Sequence, residues 1–339
     1  MNKFENFWNE WNESKNFSGV VSVSGEHGGI FQKSCGYRNR GEQLLNNEST
    51  AFSIASGTKF FTGLAVCKLI DEKKLKLEDK LCDLVKFDVG QIDKRVTVFH
   101  LLTHTSGVGD YIDEESDDSL EQLSALYSKY PVYLWERLEY YLPMITVLPP
   151  KFEPGKRYGY SNSGFILLGL VIEAVSGISY QQFVRETIIV PAKLERTGFY
   201  RADSLPANTA HGYMYNEETG EWRTNIFSLP VLGGSDGGIY ICANDFDKLW
   251  RALFSNIILS ESMTQEFLKP HSCTYDAETY GLGVYRCELN GKLFYYAVGG
   301  DFGVDFFTAY LPEQKITISA LGNTEINTYP LMEKIISLF

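Results

Sequence analysis

The chain has 339 residues, 44% of them hydrophobic and 22% charged, the composition of an ordinary soluble globular protein long enough for one large domain or two that share a core. Its net charge of -12 argues against nucleic acid as a partner, because phosphate binding needs clustered Lys and Arg. The longest apolar run, "GFILLGLVIEAV" from Gly164, is too short to span a bilayer, and the amino terminus lacks the pattern of a secretory leader. Six cysteines without C-x-x-C spacing read as free thiols, so the expected location is the cytoplasm.

In chain order, "GVVSVSG" from Gly19 and "GIFQKSCGYRNR" from Gly29 predict two strands joined by turn residues at "EHGG". From Ser56 to about Val175 the pattern is mostly helical. "KFFTGLAVCKLIDEKKL" carries Phe60, Leu64 and Cys67 on one face. "TVFHLLTH" from Thr97 is a short helix stopped by "TSGVG". The acidic run "DEESDD" from Asp113 is expected to be a solvated loop. Aromatic residues are dense between Tyr111 and Tyr141: Tyr111, Tyr127, Tyr130, Tyr133, Trp135, Tyr140 and Tyr141. Most should pack the helical region, with one or two walling an apolar pocket. "GFILLGLVIEAVSG" is apolar all round, which predicts a buried helix stopped by Gly177. "SYQQFVRETIIVPAKL" predicts a helix capped by a Ser and ended before Pro191.

The last third changes period. "GLGVYRCEL", "KLFYYAV", "VDFFTAYL" and "KITISALG" predict consecutive strands, with turns at Asn290-Gly291 and Pro312-Glu313, and "PLMEKIISLF" closes with a helix. The implied class is α+β in two regions. Residues 1–55 and 236–339 form an antiparallel sheet built from both termini and flanked by helices, residues 56–235 form an inserted, mostly helical region, and the active site lies at their junction.

Two motifs fail on context. "GGSDG" at Gly233–Gly237 fits G-x-S-x-G, and "HGG" at His27 fits its oxyanion partner, but a β-like run follows Ser235 where a nucleophile elbow needs a helix. His100 and His104 are spaced as zinc ligands can be, yet Leu101 occupies the position where a metalloprotease needs Glu. Both histidines are expected to be structural, and no metal or cofactor is implied.

Ser56 is the only Ser with a Lys three residues later, Lys59. Near a helix start, unsatisfied N–H groups and the dipole make the local field positive. Residues at i and i+3 share a face, so the Lys59 amine can reach the Ser56 hydroxyl. To act as a base near neutral pH, its pKa must fall by roughly 3 units, about 4 kcal/mol. "YGYSNSG" supplies Tyr160 and Asn162: a phenol that returns a proton if a nearby ammonium lowers its pKa, and an amide that holds Lys59 or substrate. "YRN" at Tyr37 has the same spacing but sits in a predicted strand ahead of the serine.

"SGTK", "HLLTHTSG", "PGKRYGYSNSGFILLG", "LGGSDGGIYICANDF", "YGLGVY" and "AVGGDFGVDF" occur in one order from about residue 18 to about residue 325. This set resembles the serine β-lactamase and penicillin-recognising superfamily, nearest the class C branch with its D,D-peptidases and family VIII esterases. The resemblance implies Ser56 as nucleophile, Lys59 as its base partner, Tyr160 as second acid/base and Asn162 as the polar contact beside it. It assigns Val298, Gly299 and Gly300 to the substrate-binding strand and the Asp301 backbone N–H to the oxyanion hole, with that of Ser56. "HTSG" at His104 matches a segment taken as structural. The family carries Lys or His where this chain has Val298, and that cation helps bind a substrate carboxylate. A charge-assisted hydrogen bond is worth about 1.5–3 kcal/mol. Its loss favours neutral esters or amides over β-lactams and over peptides ending in a carboxylate. The expected function is therefore an esterase-like serine hydrolase working through an acyl-enzyme on a small ester, amide or β-lactam. A β-lactamase or D,D-carboxypeptidase, and a penicillin-binding sensor that acylates without turnover, are the alternatives.

Overall fold

The structure is a computed structural model that describes residues 4–6, 8–9, 11, 17–116, 125–126, 128–275 and 278–339. Tyr127, two of the acidic residues after Ser116, and the first three residues lie outside the described residues.

Alternating β-branched and aromatic residues from both ends of the chain build one sheet. Its strands are β1 (Gly19–Gly25), β2 (Gly28–Cys35), β3 (Ser272–Cys273), β4 (Thr279–Tyr280), β5 (Tyr285–Leu289), β6 (Lys292–Asp301), β7 (Val304–Leu311) and β8 (Ile316–Gly322). The order is β2-β1-β8-β7-β6-β5-β4-β3, and each neighbouring pair is antiparallel. The amino-terminal hairpin joins the sheet because Val21 pairs with Ala320 and Val23 with Ile318. The second predicted strand is shorter than its sequence pattern. It breaks at Gly36, whose φ of 70° few side chains tolerate, and Tyr37–Asn39 pairs elsewhere.

Period-2 alternation sends adjacent side chains to opposite faces. Val21, Val23, Phe307, Ile318 and Ala320 face a layer made by Phe4, Trp8, Trp11 and the terminal helix Tyr329–Ser337. Val20, Phe306, Tyr310 and Leu321 face the larger helical core. That core holds α1 (Thr58–Asp71), α2 (Val98–Leu102), α3 (Asn162–Ser176), α4 (Tyr180–Val184) and α5 (Ala243–Phe254). Helix α5 bridges core to sheet: Phe246 stacks on Phe306 at 5.0 Å and the Trp250 indole donates to Thr308 at 3.1 Å.

Helix α3 begins at a Ser161 cap and stops at Gly177, whose φ is 78°. Helix α1 is buried almost all round rather than along one stripe. Gly63 lets it approach the Leu282 carbonyl, which a Cβ there would meet at 2.1 Å. None of the described helices is long and apolar enough to cross a membrane alone; one bent pair, Asn162–Ser176 with Tyr180–Ile189, passes by length and composition only. The buried central helix α3 belongs to that pair.

Candidate active site

Ser56 lies in a tight 3-10 turn, Ala55–Gly57, that runs directly into α1. The turn is held from both sides. Phe52 and Ser53 pair with Ile241 and Tyr240, and Ile54 N–H donates to the Ile239 carbonyl at 3.1 Å. The Thr58 hydroxyl donates to the Ala55 carbonyl at 2.8 Å and accepts from Ile239 N–H at 3.1 Å. Ala55 has a φ of 44°, a left-handed conformation that costs a non-glycine residue on the order of 1–3 kcal/mol. The surrounding hydrogen bonds impose it. Ala55→Gly is therefore expected to raise stability by about 0.5–1 kcal/mol in urea unfolding; a loss of stability would mean the turn is unstrained.

Strand β6 closes against this turn. A Cβ on Gly299 would lie 2.2 Å from the Ile54 carbonyl oxygen and 2.9 Å from the Ser56 nitrogen, so only glycine permits the approach. The strand continues past "KLFYYAV" through Gly300 to Asp301 because its pairing with β7 continues, Val298 opposite Phe307 and Asp301 opposite Val304.

Lys59 is 3% exposed. Its Nζ lies 3.1 Å from Ser56 Oγ, 2.7 Å from Asn162 Oδ1 and 2.9 Å from the Asp236 carbonyl oxygen. Both carbonyl oxygens can only accept. A neutral amine would spend its two N–H groups on them and turn its lone pair toward the Ser56 hydroxyl proton. Burial drives Lys59 toward that neutral form by lowering its pKa, opposed by Asp236, Glu114, Asp110 and Asp301.

Asn162 is oriented by a residue that sequence reasoning placed in solvent. The Asn162 amide Nδ2 donates to Glu114 at 2.7 Å, which leaves Oδ1 for Lys59. Glu115 accepts from Tyr160 N–H at 2.9 Å and pairs with Lys151 at 3.3 Å. The described part of the acidic run is an exposed loop, as expected, with Glu114 and Glu115 exposed, and it also lines the rim of the site. Asp110 holds the start of α3, accepting from Asn162 N–H at 2.7 Å and from Ser163 N–H at 2.9 Å. Burial pushes its carboxyl up to about 6 despite those donors.

The Tyr160 side chain lines the cleft with Ser56, and its ring centre lies 4.8 Å from Lys59 Nζ. The expected lowering of its pKa is not found. Burial, reinforced by Glu114 and Tyr285, raises it well above 10, so Tyr160 rests as a phenol. His104 packs beneath, its ring 4.6 Å from that of Tyr160, and its Nδ1 accepts from Ser161 N–H at 3.1 Å. Burial and Lys59 hold it neutral. His100 closes a capping box with Thr97 at the start of α2. No group of described residues could hold a metal ion. Ser235 is fully buried, and its carbonyl accepts from the Thr62 hydroxyl at 2.6 Å, so "GGSDG" is a floor under α1 and not an elbow.

The predicted residues come together around Ser56. Lys59, Tyr160, Val298, Gly299 and Gly300 line an open cleft with it, and Asn162, Gly300 and Asp301 line a second, smaller chamber that also includes Ser56. The Asp301 carboxylate turns back to accept from Phe302 N–H at 2.8 Å. Of the aromatic residues singled out in the sequence, Tyr111, Trp135 and Tyr141 wall the narrow chamber, together with Tyr200 and Tyr240, while Tyr133 and Tyr140 are exposed. Glu114, Asp110 and Asp236 had no local signal, because each reaches its partner across a long stretch of chain.

A large antiparallel sheet drawn from both ends of the chain, with helices packed on it, is the β-lactamase/transpeptidase type of fold. The chain belongs to the beta-lactamase family, whose model, Beta-lactamase, matches residues 4–333, and it is a serine hydrolase of that family. It is similar to the teichoic acid D-alanine hydrolase of Staphylococcus aureus, 27% identical over 319 residues that cover 93% of this chain and 73% of the relative. Among solved structures it is similar to the penicillin binding protein from Bacillus halodurans, at 40% identity and a TM-score of 0.91 over 99% of both chains. The octameric penicillin-binding protein homologue from Pyrococcus abyssi matches at 25% identity and a TM-score of 0.85, covering all of this chain and 77% of that one.

Proposed function

We propose that this protein hydrolyses small neutral esters, and related amides, through an acyl-enzyme on Ser56. The observation that carries the reading is the buried Lys59 amine 3.1 Å from Ser56 Oγ, its other contacts taken by two carbonyl acceptors. Lys59 takes the Oγ proton as Ser56 attacks the carbonyl carbon. The backbone N–H groups of Ser56 and Asp301 hold the oxyanion, a contribution of about 3 kcal/mol for such a donor. The Tyr160 phenol gives its proton to the leaving oxygen or nitrogen as that bond breaks, and the Lys59 ammonium restores it. Water then repeats the sequence on the acyl-enzyme, with the proton returned to Ser56.

Val298 supports the ester preference. It lines the cleft beside Tyr160 and supplies neither charge nor hydrogen bond to a substrate carboxylate. The relative named for hydrolysing D-alanine from teichoic acid supports hydrolysis, and the relatives named penicillin-binding support the competing reading, acylation by a β-lactam. One panel separates them: nitrophenyl esters, a chromogenic cephalosporin and a fluorescent penicillin, each with wild type, Ser56→Ala and Val298→His. Ester turnover lost in Ser56→Ala, with Val298→His accelerating penicillin acylation about tenfold, is the expected result. Rapid cephalosporin turnover by the wild type identifies a β-lactamase, and lasting penicillin label without turnover identifies a sensor. The six free thiols support a cytoplasmic location for this chemistry.

A further inference from the structure

Ser56, Glu114 and Gly300 line two chambers that differ in size and in their walls. The narrow one has a volume of about 240 Å³, with apolar walls from Ile112, Val132, Trp135, Tyr141, Leu229 and Val231, and Glu114, Asp236 and Asp301 also in its lining. The wide one, about 840 Å³, holds Tyr160 and Val298. Five carboxylates line it, Glu114, Glu115, Glu278, Asp305 and Glu333, and Lys59 is the one cation among its described lining residues.

Their placement fixes which end of a substrate goes where. The acid that protonates the leaving group must face it, and Tyr160 lines only the wide cleft. The leaving group therefore points into that cleft, and the acyl substituent points the other way, past Asn162 and Asp301, into the apolar chamber. A cavity of about 150 Å³ takes benzene. The narrow chamber accordingly takes a phenyl ring with a methylene or two, or an unbranched chain of about six carbons.

Resting on the proposed acyl transfer at Ser56, we infer that the natural substrate carries an apolar acyl group of phenylacetyl or hexanoyl size, seated against Trp135 and Tyr141, and an uncharged or cationic leaving group that departs through the acidic cleft. The chamber recognises the acyl end by burial, and the carboxylates disfavour an anionic leaving group and repel an anionic product.

Linear alkylboronic acids from methyl to octyl, which form a Ser adduct without turnover, test the acyl end by calorimetry. The expected Kd falls about fourfold per added methylene up to about six carbons and then levels. Ala202→Trp, which fills the chamber from its half-buried wall, should flatten that slope. The wild-type series stands by itself should this variant not fold. Adducts that form on Ser56 with no dependence on chain length overturn the inference and leave the Ser56 reading intact. Binding equal in wild type and Ser56→Ala overturns the Ser56 reading and this inference with it. For the leaving group, acylation of Ser56 by hexanoyl esters of 4-hydroxybenzoate and of 3-hydroxyphenyltrimethylammonium is followed by mass. The cationic ester should react about tenfold faster at low salt, with the gap closing in about 0.5 M salt. Equal rates, or a faster benzoate ester, overturn the charge assignment.

Discussion

Replacing Lys59 with Met is expected to lower kcat/KM for ester hydrolysis by about a thousandfold or more, within the range for loss of a general base. Met is apolar, unbranched and adaptable, so it fills the same buried path. The Asn162 and Asp236 oxygens lose their donor, at a cost of about 1–3 kcal/mol for each group left unpaired, partly offset because no amine has to be desolvated. The fold should therefore persist with a lowered Tm, and inactivity will report chemistry. Lys59→Arg should be equally inactive, since a guanidinium stays charged. The same account gives a pH profile. Only the neutral amine accepts the Ser56 proton, so kcat/KM rises with pH through the Lys59 pKa, which burial places below its usual 10.5. A fall requires Tyr160 to ionise, and burial has moved that well above 10. The two groups share Ser56, so the rising limb belongs to the coupled pair. Activity that declines between about pH 8 and pH 10 in a folded enzyme would contradict these assignments.

Gly299→Ala is expected to damage both activity and stability. The added carbon would meet Ile54 O at 2.2 Å, Gly57 N at 2.8 Å and Ser56 N at 2.9 Å, all backbone atoms that no rotamer can move. Strand β6 and the Ser56 turn must separate, and with Ser56 as the proposed nucleophile a displacement of about 1 Å there costs on the order of a hundredfold in rate. Stability should fall by about 1–3 kcal/mol, as for other overpacked cores. Gly300→Ala is the control for stability, because its added methyl meets nothing within 4 Å. Steady-state kinetics and urea unfolding of the two variants test the claim, and a Gly299→Ala enzyme with wild-type kcat/KM would show that the turn and strand are not held in register.

The parts of the site that could be read in the sequence are those encoded locally. Ser56 and Lys59 lie one turn apart, Tyr160 and Asn162 flank a helix start, and the glycines of β6 follow a clear strand. What could not be read depends on contacts between distant segments. Glu114 and Asn162 are 48 positions apart, and the Asp236 carbonyl reaches Lys59 across 177 positions. By composition the run from Asp113 is solvent-facing, and it is; only the folded chain brings the exposed Glu114 and Glu115 within hydrogen-bond reach of Asn162 and Tyr160. The ionisation of Tyr160 was misjudged for a related reason. A nearby ammonium lowers a phenol pKa, but Lys59 is itself driven toward neutrality, so burial and Glu114 decide the direction. Helix α1 looked amphipathic because its sequence shows one strong stripe. Its other faces are buried by α3, the "GGSDG" floor and the helix Glu261–Leu268, all distant in sequence.

The most direct measurement is mass spectrometry of the protein quenched within its first turnovers on p-nitrophenyl butanoate, followed by peptide mapping. The account predicts a butanoyl adduct on the peptide that carries Ser56, absent from Ser56→Ala. Ester turnover that survives in Ser56→Ala, or an adduct mapped to another residue, would contradict it.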